Sequence, residues 1–164
     1  MVNEEELKFA TVCWFCREYG DLSIWWEAYR PMPFSMRNQG IYADILIRTD
    51  SGYFHAVEVE PNLYRAVDDP NHGINEVKNY IAHYKWLAVY YHGTNTQEER
   101  LKKICRKRGY GLLFLYEDGR YLYGYRAELV LKPKRTKYKA NKIWYTWEDL
   151  HREDIVAERC KDRC

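Results

Sequence analysis

The chain has 164 residues, 46% of them apolar and 30% charged, with a formal net charge of +2. That length and balance predict one globular domain with a core of its own, and the near-neutral total means that any polyanion must be met by local charge. No run approaches the length of a transmembrane helix, and "MVNEEELKFA" has no apolar stretch of the signal-peptide kind, so a cytoplasmic protein without membrane contact is expected.

Residues 3–19 read as a helix. Asn3 caps it, Glu4 to Glu6 suit the first turn, and Gly20 ends it. The helix carries "CWFC" (Cys13, Cys16), and the far end of the chain carries "CKDRC" (Cys160, Cys164). Both spacings share a helix face, so packing of the two ends would gather four thiols. A zinc site, two disulfides and unrelated thiols are all open on this pattern. With 16 Tyr, the paired cysteines hint at a hot-environment source, an archaeon or its virus.

"LSIWWEAYR" reads as an aromatic strand and "PMPFSMRNQG" as a loop. Residues 41–48 and 53–60 read as two strands joined through Asp50-Ser51-Gly52, with Gly52 in the left-handed position of a three-residue loop. In that register paired residue numbers sum to 102, so Asp44 faces Glu58 and Glu60 shares their side. Three carboxylates then meet in an otherwise apolar hairpin. Opposed like charges repel, so a cation, a basic neighbour or full solvation must offset them. Hard divalent ions take such oxygen ligands, with the Val59 carbonyl as a further donor.

"PNLYRAVDDPNHG" reads as a polar loop and 74–85 as a helix with Ile74, Val77, Ile81 and Tyr84 on one stripe. "WLAVYYH" reads as a strand covered on both faces, and "TNTQEERLKKICRKRG" as a helix ending at Gly109. Strands follow around Asp118-Gly119, read as a two-residue hairpin turn. The core thus covers about 3–131, a basic connector 132–142, and a C-terminal helix 143–164. The order predicts an α/β domain with a mixed sheet.

The quoted hairpin resembles that of the PD-(D/E)XK nuclease superfamily, the restriction-endonuclease-like fold with an αβββαβ core. The likeness covers roughly residues 3–92. Asp44 in "YADILI" matches the family Asp, and Glu58 in "AVEVEP" matches the family acid. Glu60 stands where the family most often has Lys, as in its Glu-x-Glu variants, and Lys78 in "NEVKNYIAHY" is the candidate for a lysine moved to the following helix. A weaker likeness runs to the nuclease-like domains of replication-relaxation proteins. The resemblance implies a DNA nuclease with Asp44, Glu58 and Glu60 as ligands of Mg²⁺ or Mn²⁺ and Lys78 opposing developing negative charge.

Two basic runs fit a phosphate backbone: Lys132, Lys134, Arg135, Lys137 and Lys139 in "KPKRTKYKANK", and Lys102 and Arg106 in "LKKICRKR". The competing readings are a non-catalytic DNA-binding accessory of the same fold and an interaction protein with an acidic face. The oligomeric state, a homodimer included, is open.

Overall fold

A computed structural model of the chain describes residues 2–30, 41–93, 96–136 and 157–164. Seven strands form one mixed sheet: β1 (Leu22–Arg30), β2 (Ile41–Thr49), β3 (Phe54–Glu60), β4 (Tyr84–Tyr90), β5 (Gly111–Glu117), β6 (Tyr125–Leu131) and β7 (Glu158–Arg159). Their order is β6-β5-β4-β3-β2-β1-β7. The β3–β4 and β4–β5 pairs are parallel, and the others are antiparallel. Helices α1 (Glu4–Tyr19), α2 (Leu63–Val67), α3 (Ile74–Val77), α4 (Thr96–Arg108) and α5 (Cys160–Arg163) complete the described elements.

Sequence spacing decides which side each strand residue takes. Ile45, Ile47, Val57 and Val59 point to one face and are buried with Leu7, Val12 and Phe15 of α1. Leu46, Ala56, Leu87 and Phe114 point to the other, under Leu63, Val77 and Leu101 of α2, α3 and α4. Every residue of β3 is buried, so its acids face a helix layer and not solvent.

α1 starts and stops as its sequence dictates. Asn3 Oδ1 accepts the Glu6 amide, and Gly20 ends the helix at φ 81°. The β2–β3 hairpin has the anticipated register, with Ile45 opposite Val57 and Arg48 opposite Phe54. Gly52 holds φ +89° and donates its amide to the Thr49 carbonyl, closing the three-residue loop.

Four expectations need correction. The segment after Pro61 is not only loop. Asn62 Oδ1 accepts the Arg65 amide and starts α2, which buries Leu63, Ala66 and Val67. The helix placed at 74–85 ends at Val77, and β4 begins at Tyr84. Tyr80 and Ala82 are buried on the way, so tertiary packing overrides the helical stripe there. Asp118-Gly119 is not a two-residue turn. The Asp118 amide donates to the Gly124 carbonyl, and the Asp118 carboxylate takes the Arg120 amide and guanidinium.

The fourth concerns the end of the chain. Residues 137–156, with Lys137, Lys139 and most of the expected C-terminal helix, lie outside the described residues, as does the 31–40 loop. In the described remainder, Glu158 and Arg159 pair with β1 as a strand, and only Cys160–Arg163 is helical. The two ends of the chain do meet. Cys13 bonds Cys164 and Cys16 bonds Cys160, so the four thiols stand as two disulfides and not as a tetrahedral zinc site. Cys105 is the buried free thiol.

Candidate functional site

The β2–β3 ladder stops at Ile45 opposite Val57. The next amide on that side, Val59 N–H, donates to the Asp44 carboxylate (Oδ2, 2.9 Å). A strand residue's amide and carbonyl leave on the same side, so the Val59 carbonyl also points toward the place where the ladder has opened. Asp44 is about a quarter exposed, and its other oxygen lies 3.7 Å from Lys8 Nζ on α1.

Glu58 and Glu60 are on the same face and almost wholly buried, at 4% and 1% exposure. Glu58 Oε2 accepts a short hydrogen bond from the Tyr80 hydroxyl, and the two glutamates are hydrogen-bonded to each other. Glu60 Oε1 accepts the Gly73 amide at 2.9 Å, and its Oε2 lies 3.2 Å from Arg65 Nε. Gly73 must be glycine here. Its φ is +57°, and a Cβ would come within 2.1 Å of the Ala66 carbonyl oxygen. That close approach of α2 and the start of α3 is what aims the amide at Glu60.

Burial, then the nearby Asp44 charge, then the bond to Glu60 push the Glu58 carboxyl up to about 11. Burial also raises Glu60, against the pull of Glu58, the Gly73 amide and Arg65. One proton is therefore held between two buried carboxyls at neutral pH. Burial and Glu58 raise the Tyr80 hydroxyl, which stays a donor.

Asp44, Glu58, Val59, Glu60 and Arg65 line a cavity of about 330 Å³ with Glu4, His72 and Glu76. Arg65 Nε and His72 Nδ1 border it without an aligned hydrogen-bond partner among the described residues, although each lies near a carboxylate. A second cavity, of about 510 Å³, shares Glu4 and Asp44 with the first and adds Lys8, Phe9, Trp26 and Arg163. The Arg163 guanidinium lies 4.2 Å from the centre of the Phe9 ring and pairs with Glu158. The carboxylates thus open on one side into an aromatic and cationic groove.

The other sequence candidates lie elsewhere. Lys78 is exposed at the C-cap of α3 and does not line the carboxylate cavity. Its carbonyl accepts from the ammonium of buried Lys85. Lys132, Lys134 and Arg135 are exposed, and Arg135 stacks on Tyr53 at 4.7 Å, just before β3 begins. Thr136 N–H donates to the His83 carbonyl beside it. The carboxylates sit at the other end of β3, about 20 Å along the strand. Lys102 pairs with Glu98 and Glu99 on α4, and Arg106 is exposed on the same helix. The expected convergence of these cations with the acids is therefore absent among the described residues.

Sequence reading missed Lys8, Arg65, Tyr80 and Arg163. Only Arg65 carried a local signal, the Asn62-x-x-Arg65 start of α2; the others reach the site from α1, a turn and the chain end.

Carboxylate oxygens beside a carbonyl are donors of the type that hard divalent cations take, although each carboxylate here already has a protein partner. Among the described residues no group of three or more His, Cys, Asp or Glu side chains is placed to hold a metal ion. Magnesium needs only one or two carboxylates and completes its shell with water and substrate oxygens. No described helix is long and apolar enough to cross a membrane. No family model, curated protein or solved structure matches the chain.

Proposed function

We propose that this protein is a metal-dependent DNA nuclease of the PD-(D/E)XK type. The observation that carries the reading is the end of the β2–β3 ladder, where Asp44 takes over the Val59 amide beside the buried Glu58–Glu60 pair. The order helix, three antiparallel strands, helices, parallel strand supports it, since an αβββαβ core has the same order.

Asp44, Glu58 and the Val59 carbonyl would hold Mg²⁺ or Mn²⁺. When bound, such an ion supplies an activated water and stabilises charge on the phosphoryl group. The chain's own residues do the rest. Tyr80 fixes the Glu58 carboxyl, and Gly73 and Arg65 fix that of Glu60. Glu60 is then a held base for the attacking water. Arg65 takes the part expected of Lys78, because its guanidinium borders the cavity and Lys78 does not. Lys8 and Arg163 meet the strand's phosphates on the open side, and Phe9 and Trp26 give a surface for bases.

A second reading, a DNA-binding accessory without chemistry, is favoured by a separate observation. Each carboxylate already has a protein partner, and Lys78 does not line their cavity. One experiment separates the two. Supercoiled plasmid and single-stranded oligonucleotides are incubated with the protein and Mg²⁺, Mn²⁺ or EDTA. Cleavage that needs the divalent ion and is lost in Asp44→Ala and Glu58→Ala is expected. DNA binding without cleavage on any form, with no divalent effect on Tm, gives the second reading.

A further inference from the structure

At the opposite end of β3 lies a larger cavity, of about 620 Å³. That volume is in the range of small-molecule sites. Its walls include Tyr19, Tyr53 and Tyr84, with Trp86 and His55 at the floor. Tyr53 and Tyr84 stand at 77° to each other, while His55 stacks on Tyr84 at 4.8 Å. Glu18 and Asp50 stand on one part of the lining and Lys132 on another.

His55 is the built feature. It is 98% buried, at 2% exposure, and its Nδ1 accepts the Trp86 indole N–H at 3.0 Å. Burial, and then His83, lower its pKa to about 4, so the ring is neutral. A neutral imidazole that accepts at Nδ1 carries its proton at Nε2. No hydrogen bond from that nitrogen is found among the described residues, and His55 lines the cavity, so the N–H is available there to water or to a ligand. An acceptor on a ligand in the cavity would pair with it.

We infer that this cavity binds an amino-bearing nucleobase, stacked among the tyrosines, with a ring acceptor on His55 and its amino group on Glu18 or Asp50. Lys132 then lies where a phosphate attached through the sugar can reach it. An organic cation fits less well. Lys132 lines the cavity, and the Arg135 guanidinium already covers the Tyr53 ring, so two positive charges stand at the mouth. A purely apolar ligand would strand two carboxylates and the imidazole N–H. The inference is independent of the nuclease reading, because no residue of this cavity lines the carboxylate one.

The test uses the full, oxidised chain and follows tryptophan fluorescence and titration heat. Adenosine, cytidine and AMP are titrated, with choline as the cationic contrast. Saturable nucleoside binding with Kd below about 1 mM is expected, with AMP tighter than adenosine. Tyr19→Ala, on an exposed rim, should weaken binding at least about fivefold, as loss of one stacking ring does. Glu18→Ala should weaken it as well, and Lys132→Ala should erase the advantage of AMP. An oligo-dA strand that competes with adenosine identifies a base presented by a strand, and failure to compete identifies a free nucleotide; both support the site. No saturation by any nucleoside up to about 10 mM, tighter binding of choline, or full affinity in both Tyr19→Ala and Glu18→Ala overturns it.

Discussion

The two ends of β3 solve opposite problems with one seven-residue strand. At the carboxyl end, Glu58 and Glu60 bury acid groups that burial drives toward the protonated form. At the amino end, His55 buries a base that burial drives toward the unprotonated form. Burial thus removes charge at both ends, the acid pair keeping one negative charge beside Arg65, and both have charged groups at the rim: Asp44 and Lys8 at one, Glu18, Asp50 and Lys132 at the other. The difference lies in what each interior can offer. The acid end holds a proton that a cation can displace; the aromatic end holds an N–H that an acceptor can take.

The largest effect expected is on the clasp beside the acid end. The disulfides close sequence separations of 151 and 144 residues, joining α1 to the segment that carries Arg163. Closing a loop of that size predicts about 5 kcal/mol in the chain-entropy account, and the second bridge, which closes only the short ring left beside the first, adds less. Thermal melting with and without reductant should show a Tm lower by more than about 10 °C after reduction. If the ends are as separate as the geometry says, mild reduction should also release Arg163 from the Asp44 groove while nucleoside binding at the other end is unchanged. An unaltered melt would mean that the terminal bridges contribute nothing to the fold.

The next effect falls on the acid end alone. Gly73→Ala meets the Ala66 backbone and holds a left-handed φ, so a loss of about 4 kcal/mol is expected from overpacking and backbone strain together. Gly52→Ala has only an Arg48 side-chain atom at 3.7 Å and should cost about 1 kcal/mol. Denaturant titration of the two variants measures the contrast. Equal losses would show that Gly73 is not what sets the approach of α2 to Glu60.

The pH dependence should separate the ends by sign. His55 has a folded pKa of about 4 against an ordinary 6.5. Between these the unfolded chain binds more protons, so its contribution is full above the unfolded value and is lost as pH falls toward 4, by about 3 kcal/mol. Glu58 runs the other way. Its folded pKa is raised, so stability is full below the ordinary 4.5 and declines as pH rises toward the raised value. Stability measured across pH should fall on both sides of a mildly acidic optimum. Glu58→Gln should flatten the alkaline limb alone, and Mg²⁺ should do the same if the site binds it. An alkaline limb that persists in Glu58→Gln would assign it to another group.

Much of the frame was legible because its signals are local. Asn3, Gly20 and the Asp50-Ser51-Gly52 loop act through their own backbone, and each stands where its chemistry puts it. The three acids were legible because strand alternation and one turn length fix their register. Their partners were not. Tyr80 fell inside the expected 74–85 helix, off its apolar stripe, yet its hydroxyl reaches Glu58 from a turn, and Arg65 was assigned to loop. Lys78 sat at a plausible spacing, but α3 ends just before it. The basic run looked like the partner of the acids because sequence carries sign and not distance; Lys132 and Arg135 pack at the far end of β3.

That misplacement gives the smallest and most discriminating expectation. Lys134 and Arg135 are exposed, and single exposed cations change stability little. Lys8 and Arg163 are partly buried, so their variants are read for binding after a Tm check. Lys8 lies 3.7 Å from Asp44, and Arg163 shares its groove, so a strand engaged at the carboxylates must pass them. Lys134 and Arg135 lie about 20 Å away along β3. Each phosphate contact removed should lower the slope of log affinity against log salt by about 0.7 on single strands and 0.9 on duplex. Lys8→Ala and Arg163→Ala should therefore lower both that slope and any divalent-dependent cleavage. Lys134→Ala with Arg135→Ala should leave cleavage of a short oligonucleotide unchanged, since it is too short to span both ends, and should lower the slope only on long DNA. A loss of short-substrate cleavage in the Lys134 and Arg135 variant would join the two ends into one nucleic-acid surface and remove the separation on which the comparison rests.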